Sequence, residues 1–195
     1  MRPVWDGQTG PSGRDGPPTH CWHTGRICMK VRYHQSALRE GRFSERGSVY
    51  SIVKNVEDLS RRLIRDPFNP QTSEDTVRIL TDSFKWHHVN GYLICLGYTV
   101  LPDHYHLVFL LAKDRSLDEV MGGIGGFSAK GINRLNGWAG QFWQTGYRDR
   151  MVRDDEELEN QMEYVWQNPA KAGFVNAPED WPFTDIHPDW ESPWV

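Results

Sequence analysis

The sequence predicts an α+β fold organised around an antiparallel sheet. Segments of strand periodicity alternate with segments of helical periodicity from about residue 48 onward. Two neighbouring strand segments are separated by only three residues, a connection too short for the crossover that parallel strands need. A hydrophobic content of 38% in 195 residues is sufficient for one sizeable core. We therefore expect a single compact domain.

The N-terminal part of the chain supplies a leader and the first two elements of that domain. Residues 1–35 are rich in Gly and Pro and lack periodicity, which predicts a disordered or non-native leader ahead of a domain over residues 36–176. A strand is expected near Ser48–Val53. A helix is expected near Ser73–His87, because a hydroxyl residue with acidic residues just behind it is typical of a helix N-terminus.

Two strands and a second helix follow. Tyr92–Val100 and His104–Leu111 are predicted to be neighbouring strands joined by residues 101–103. Beyond its histidines, His104–Leu111 is apolar on both faces, as expected of a central strand covered by helices. A helix is predicted from Ser116 to about Arg134, although each of its glycines costs about 1 kcal/mol relative to alanine in a helix interior. We therefore expect this helix to be kinked or partly mobile.

A strand, a helix and a tail complete the chain. Gln141–Val152 is predicted to be the fourth strand. Asp154–Pro169 is predicted to be a helix, because acidic residues crowd its first turn, where the helix dipole favours negative charge, and a proline closes it. Residues 177–195 are rich in aromatic and acidic residues, and we expect this tail to pack on the domain. The order strand, helix, strand, strand, helix, strand resembles a ferredoxin-like sandwich with a central antiparallel sheet.

Candidate metal ligands lie at the start of the third strand. Residues two apart on a strand point to the same face, so His104 and His106 project together and Tyr105 points away. Two histidines on one strand can also be structural, and the pair alone does not establish a metal site. On the helix Asp154–Pro169, the spacing i, i+4 stacks Tyr164 and Asn168 on the face opposite the apolar stripe.

A phenol and an amide oxygen that face the same way suit a metal-assisted reaction. The phenol of Tyr164 could act as a nucleophile, and the amide oxygen of Asn168 could complete the coordination of a hard cation together with the two histidines. Tyr164 could equally be an ordinary tyrosine on an exposed helix face. Tyr147, on the predicted fourth strand, is the alternative nucleophile.

Several short motifs follow one another in a fixed order. His-Tyr-His at 104–106 follows Leu-Pro-Asp, Phe-Trp-Gln stands at 142–144, Tyr-Val-Trp-Gln-Asn-Pro-Ala-Lys-Ala-Gly-Phe-Val occupies 164–175, and Asp-Trp-Pro-Phe occupies 180–183. In this order they resemble the REP-associated tyrosine transposases of the HUH single-tyrosine superfamily. The resemblance extends from about Arg42 to His187, and the one mild departure is Tyr105, where the family has a bulky hydrophobic residue.

The resemblance implies a site and a reaction. His104 and His106 would be the metal-binding pair of the HUH motif on the central sheet, Asn168 the third ligand and Tyr164, on the C-terminal helix, the catalytic nucleophile. With Mg²⁺ or Mn²⁺, such an enzyme cleaves and rejoins single-stranded hairpin DNA of the REP type through a 5′-phosphotyrosine intermediate. Two alternatives stay open: a domesticated hairpin-DNA-binding protein without catalysis, and a metal-dependent nuclease in which water is the nucleophile.

The net charge of −4 makes the distribution of charge more informative than its sum. Between Arg26 and Arg65, ten Lys or Arg residues stand against four acidic residues, whereas acidic residues concentrate at positions 154–163 and in the tail. Each basic residue could be an ordinary solvated charge. The candidate DNA-binding residues are Arg42, Arg46, Lys130, Arg134, Arg148, Arg150 and Arg153.

Composition also bears on location and partners. No run of about 18 apolar residues is present and the start of the chain lacks the hydrophobic core of a signal peptide, so we expect a cytoplasmic protein without a membrane span. Three cysteines, an odd and small number, argue against a disulfide framework and suit a reducing compartment. The sequence leaves a monomer and a homodimer equally open.

Overall fold

A five-stranded antiparallel sheet forms the centre of the structure, a computed structural model that describes residues 21–24, 27–30, 45–112 and 115–186. A short pair of strands that bond only to each other precedes it, β1 (Cys21–Thr24) and β2 (Ile27–Lys30). Residues 1–35 were predicted to be a disordered or non-native leader, and this pair of strands was not expected there. The strands of the large sheet are β3 (Val49–Asn55), β4 (Leu93–Val100), β5 (His104–Leu111), β6 (Arg148–Val152) and β7 (Thr184–Ile186).

Three helices cover the two faces of this sheet. They are α1 (Glu74–Val89), α2 (Leu117–Asn136) and α3 (Asp155–Lys171). The strands lie side by side in the order β6-β3-β5-β4-β7, every neighbouring pair antiparallel. The first four strands of this sheet, β3 to β6, together with α1 and α2, therefore have the ferredoxin-like order, which confirms the predicted fold class. None of the helices in the described part of the chain has the length and hydropathy needed to cross a membrane.

The central strand β5 separates two hydrophobic cores. Its odd-numbered side chains from Tyr105 to Leu111 are buried beneath α1 and α2, in a core that includes Leu80 and Phe84 of α1. Its even-numbered Val108 and Leu110 pack in a second core with the apolar stripe of α3. Strand alternation thus assigns each face of β5 to a different helical layer. Among the described helices, α3 is the one that covers the face on which His104 and His106 lie.

The fourth strand is shorter than predicted. Of the predicted Gln141–Val152, only β6 has strand structure. Phe142 and Trp143 are adjacent in sequence, yet both are buried in the core beneath α1 and α2, which the alternation of a strand does not allow. Gly146, with φ of 75°, then turns the chain into β6.

One helix ends later than predicted, and the structure shows how a second one is started and packed. Pro169 does not close α3, which continues to Lys171, because its missing N–H removes only one helical bond in the last turn. The glycine-rich α2 is continuous and is started by a capping box in which Ser116 and Glu119 satisfy each other's amides. Its Gly123 lies so close to α1 that an added Cβ would be 2.7 Å from His87 Nε2, so the glycine is needed for helix packing.

The segment after α3 returns to the sheet. Trp181 is 2% exposed, its indole N–H donates to the Val100 carbonyl at 2.9 Å, and its ring stacks on Phe174. β7 then pairs with β4 at the sheet edge, an element that the sequence did not predict. Residues 187–195 of the expected tail, and His187 with them, lie outside the described residues.

Gly97 of β4 sets how closely α3 can approach the sheet. A Cβ added there would lie 2.8 Å from Met162 Cε and 2.9 Å from Ile186 Cγ1. We expect Gly97→Ala to lower the free energy of unfolding by about 1–3 kcal/mol through overpacking, measured by urea denaturation.

The matched control is Gly122→Ala, where an added Cβ meets nothing within 4 Å on α2. That variant should be as stable as the wild type or more stable by up to about 1 kcal/mol, because alanine is the better helix former. Equal stability of Gly97→Ala and the wild type would show that α3 adapts to the extra methyl group.

Candidate active site

The histidine pair lies on the face of the sheet that α3 covers. In the sheet register, His104 is opposite Asn55 of β3, and His106 lies between Val53 of β3 and Thr99 of β4. Partners directly opposite in an antiparallel sheet share a face, so these residues surround the two imidazoles. The rings of the two histidines are 5.0 Å apart, edge to face.

Tyr105 lies on the other face, as its position between the histidines predicted. It is fully buried against Phe84 and Trp143, its hydroxyl has no hydrogen-bond partner among the described residues, and burial raises the pKa of the phenol. Tyr105 is therefore a core residue that cannot approach a substrate.

An aspartate holds the first histidine. His104 Nδ1 lies 2.7 Å from Asp103 Oδ1, a contact in which Nδ1–H donates and the carboxylate accepts. This fixes the tautomer, so that Nε2 carries the lone pair that can bind a metal. The Asp103 backbone is itself anchored, because its carbonyl accepts from the N–H of Val56. Sequence analysis did not assign a role to Asp103, although its position next to a candidate ligand was a usable signal.

Burial keeps the second histidine neutral. His106 is 3% exposed, and burial, followed by the proximity of His104, lowers the pKa of its imidazole to about 3. A neutral imidazole is the form that binds metals. Its Nε2 lies 3.1 Å from Asn168 Nδ2 of α3, so the predicted third ligand is in contact with the predicted second.

The side chains that converge here offer two imidazoles and one amide. Rotation of the Asn168 amide by half a turn would present its oxygen at the position where the nitrogen lies. Within the described residues, no group of three or more His, Cys, Asp or Glu side chains could hold a metal ion. Asn168 is the residue whose amide could add an oxygen donor to the two imidazoles at this point.

Tyr164 completes the site. Its ring packs edge to face on His106, with the centroids 5.5 Å apart, and the residue is 46% exposed. The helix is held in this position because Leu158, Met162 and Val165 are buried against the sheet. One chain thus supplies the tyrosine and the histidines. Tyr147 lies elsewhere: it packs against the core beneath α1 and α2, and its hydroxyl bonds to Asp118 at the start of α2.

Two of the predicted DNA-binding residues share the face of the site. Arg148 of β6 is opposite Val53, which is opposite His106, so it lies two strands away on the same face, at about 10 Å given the usual strand spacing. Arg150 is also on this face, where its guanidinium pairs with Glu157 of α3. Arg153 is exposed just after β6.

The other predicted basic residues do not converge on the site. Lys130 and Arg134 are exposed on α2, in the helical layer on the opposite face of the sheet. Arg46 donates to the carbonyl of Ala112, beyond the end of β5 that is remote from His104. Arg42 lies outside the described residues. The structure therefore divides the predicted basic surface into a part beside the site and parts remote from it.

Comparison with known proteins places this geometry in a family. The family described as Transposase IS200 like matches residues 72–168, which include the histidine pair, Tyr164 and Asn168. A REP-associated tyrosine transposase of Escherichia coli K12 is 27% identical over 94 residues, covering 48% of this chain and 54% of the relative. A protein of Haemophilus influenzae that carries the same name provisionally is 29% identical over 102 residues, covering 46% of this chain and 57% of that protein.

The chain thus spans little more than half the length of these curated relatives. A solved structure of a REP-associated tyrosine transposase bound to a REP hairpin is similar in fold, with a TM-score of 0.58 and 18% identity over 76% of this chain and 82% of that one. The motifs, the family match and the two relatives agree, and the chain belongs to the REP-associated tyrosine transposases of the IS200-like family.

Proposed function

We propose that this protein cleaves and rejoins single-stranded hairpin DNA, using Tyr164 as the nucleophile and a divalent metal ion. The observation that carries the proposal is the contact of the half-exposed Tyr164 ring with the buried His106, whose Nε2 faces Asn168. An exposed phenol beside a buried set of metal-binding groups suits a reaction in which a large substrate approaches from solvent.

In the proposed reaction, one phosphodiester bond is exchanged for another. The phenolic oxygen of Tyr164 attacks phosphorus, the bond from phosphorus to the 3′ oxygen breaks, and a 5′-phosphotyrosine forms. In net, the proton of the phenol ends on the released 3′ hydroxyl. Attack by the 3′ hydroxyl of another strand reverses these changes and joins DNA without a nucleotide cofactor, because the energy of the broken bond is retained in the tyrosyl ester.

The donor set fits Mg²⁺ or Mn²⁺ at His104, His106 and Asn168, since the imidazoles are held in forms with a lone pair and the amide is adjacent. Such an ion, when bound, would neutralise negative charge that develops on the phosphate. The protein's own contribution is orientation: Asp103 fixes His104, and α3 holds Tyr164 and Asn168 against His106.

Hairpin DNA is the proposed substrate because the fold is shared with a protein solved in complex with a REP hairpin. Arg148 and Arg153 lie on or beside the face of the site, where they can neutralise phosphates of the bound strand, whereas the charge of Arg150 on the same face is paired with Glu157. The four proposed site residues lie together within one chain, and both a monomer and a homodimer are compatible with the proposal. We propose a cytoplasmic location, where DNA and divalent ions are available.

The nucleophile can be tested with labelled single-stranded hairpins whose flanking bases are randomised. Wild-type protein with Mn²⁺ should form a covalent adduct, resolved on a denaturing gel, and Tyr164→Phe should form none, because it lacks the attacking oxygen. The control Tyr147→Phe removes a hydroxyl that is bonded to Asp118 away from the site and should keep adduct formation.

Other results would point to the other candidate functions. Cutting by Tyr164→Phe at a rate close to that of the wild type would make water the nucleophile. Binding of hairpins without cutting or adduct by wild-type protein would favour a domesticated DNA-binding protein.

The metal site can be tested without DNA. Asp103→Asn should weaken Mn²⁺ binding about 10–100-fold, because the residue that orients a histidine ligand loses its charge. Asp75→Asn, at an exposed pair with Arg78 on α1, should leave the affinity unchanged. Calorimetric titration of each variant measures this, and equal affinities for all three proteins would count against a site at His104.

A further inference from the structure

Lys171 lies on the same side of α3 as Tyr164. The two residues are seven positions apart, which is close to two turns of helix and brings their side chains to one face. The ammonium Nζ is 5.6 Å from the centroid of the Tyr164 ring. Lys171 was within a motif that marked the family resemblance, but neither sequence analysis nor the proposed function gives it a role.

The ammonium group of Lys171 is available to a ligand. The residue is exposed, and no carboxylate of the described part of the chain forms an ion pair with it. It is not needed to cap α3, because the N–H groups of Ala172, Gly173 and Phe174 already donate to the carbonyls of residues 168–170. A stabilising interaction with the helix dipole explains a lysine in the last turn, but not its contact with the Tyr164 ring.

The position of Tyr164 creates a need for positive charge. A phosphate at its hydroxyl would lie beside the middle of α3, away from the N-terminal amides of the helix that could bind an anion. Glu163 is adjacent and pairs with Gln167 rather than with a cation. Arg150 is occupied by Glu157, and Arg148 is two strands from His106. Among the described basic residues, Lys171 is the one whose charged group contacts the tyrosine.

We propose that Lys171 is a catalytic residue that binds the non-bridging oxygens of the scissile phosphate during attack by Tyr164 and of the resulting 5′-phosphotyrosine. The inference rests on the proposed function. Lys171 transfers no proton in this role: its ammonium donates hydrogen bonds to phosphate oxygens while the bond from phosphorus to the tyrosyl oxygen forms and the bond to the 3′ oxygen breaks.

The experiment separates binding from reaction. With full-length protein, Mn²⁺ and a hairpin selected by the adduct assay, the single-turnover rate of adduct formation at saturating DNA and the Kd at fixed salt are measured for each variant. Lys171→Gln should lower the saturated rate about 10–100-fold and raise Kd by less than about fivefold, as expected for loss of one phosphate contact. Lys171→Arg, which keeps the charge, should recover most of the rate.

Lys85→Gln is the matched control, since it removes an exposed lysine from α1 in the opposite helical layer and should change neither quantity. Urea denaturation of all variants checks that the fold is intact. A wild-type saturated rate in Lys171→Gln, or a defect confined to Kd, overturns the role of Lys171 and leaves the tyrosine mechanism in place. Absence of any adduct with wild-type protein across the randomised hairpins overturns both proposals.

Discussion

The packing of α3 on the sheet is the constraint on which the whole site depends. His106 and Asn168 are 62 residues apart in sequence and meet only because the apolar stripe of α3 is buried on β4 and β5. Gly97 makes this approach close enough, since a larger residue there would meet Met162 and Ile186. A displacement of α3 would therefore separate the tyrosine and the amide from the histidines at the same time, without altering either histidine.

Period-two alternation along β5 lets one strand serve both stability and chemistry. Tyr105, Leu107 and Phe109 anchor the strand in the core beneath α1 and α2, while His104 and His106 project from the other face. The burial that holds His106 also keeps it neutral, so the same packing that stabilises the fold produces the protonation state a ligand needs. His104, nearer to solvent, obtains its orientation from Asp103 instead.

The fold was largely predictable because its signals are local. Strand and helix periodicities, and the three-residue turn between β4 and β5, were enough to predict the ferredoxin-like order. Features that depend on tertiary contacts were not predictable from the sequence. The start of the fourth strand depended on Phe142 and Trp143 entering one core, and the close packing of α2 on α1 depended on Gly123 and Gly131, which approach His87 and Ile79. The strand β7 has three residues, which are too few to show the alternation of side chains that predicts a strand.

The same distinction between local signals and tertiary contacts applies to the site. His104, His106, Tyr164 and Asn168 were predictable from spacing and resemblance, and the structure brings them together. Which basic residues accompany them was not predictable from charge clustering, because Lys130 and Arg148 are similar in sequence terms but lie on opposite faces of the sheet. Asp103 and Lys171 were missed for a related reason, since their importance comes from the atoms that they contact.

The arrangement of charge also orients an approaching strand. The first turn of α3 is acidic and would repel DNA, while Arg148 lies on the exposed side of β6, on the same face as the histidines. A phosphate backbone that avoids the start of α3 and contacts Arg148 must cross β3 to reach His106, because β3 lies between β6 and β5. That path leads to the C-terminal half of α3, where Tyr164 is half exposed. The negative net charge of the chain is therefore compatible with the proposed DNA binding, because acidic residues concentrate at the start of α3 and leave Arg148 and Tyr164 open to a strand on the same face.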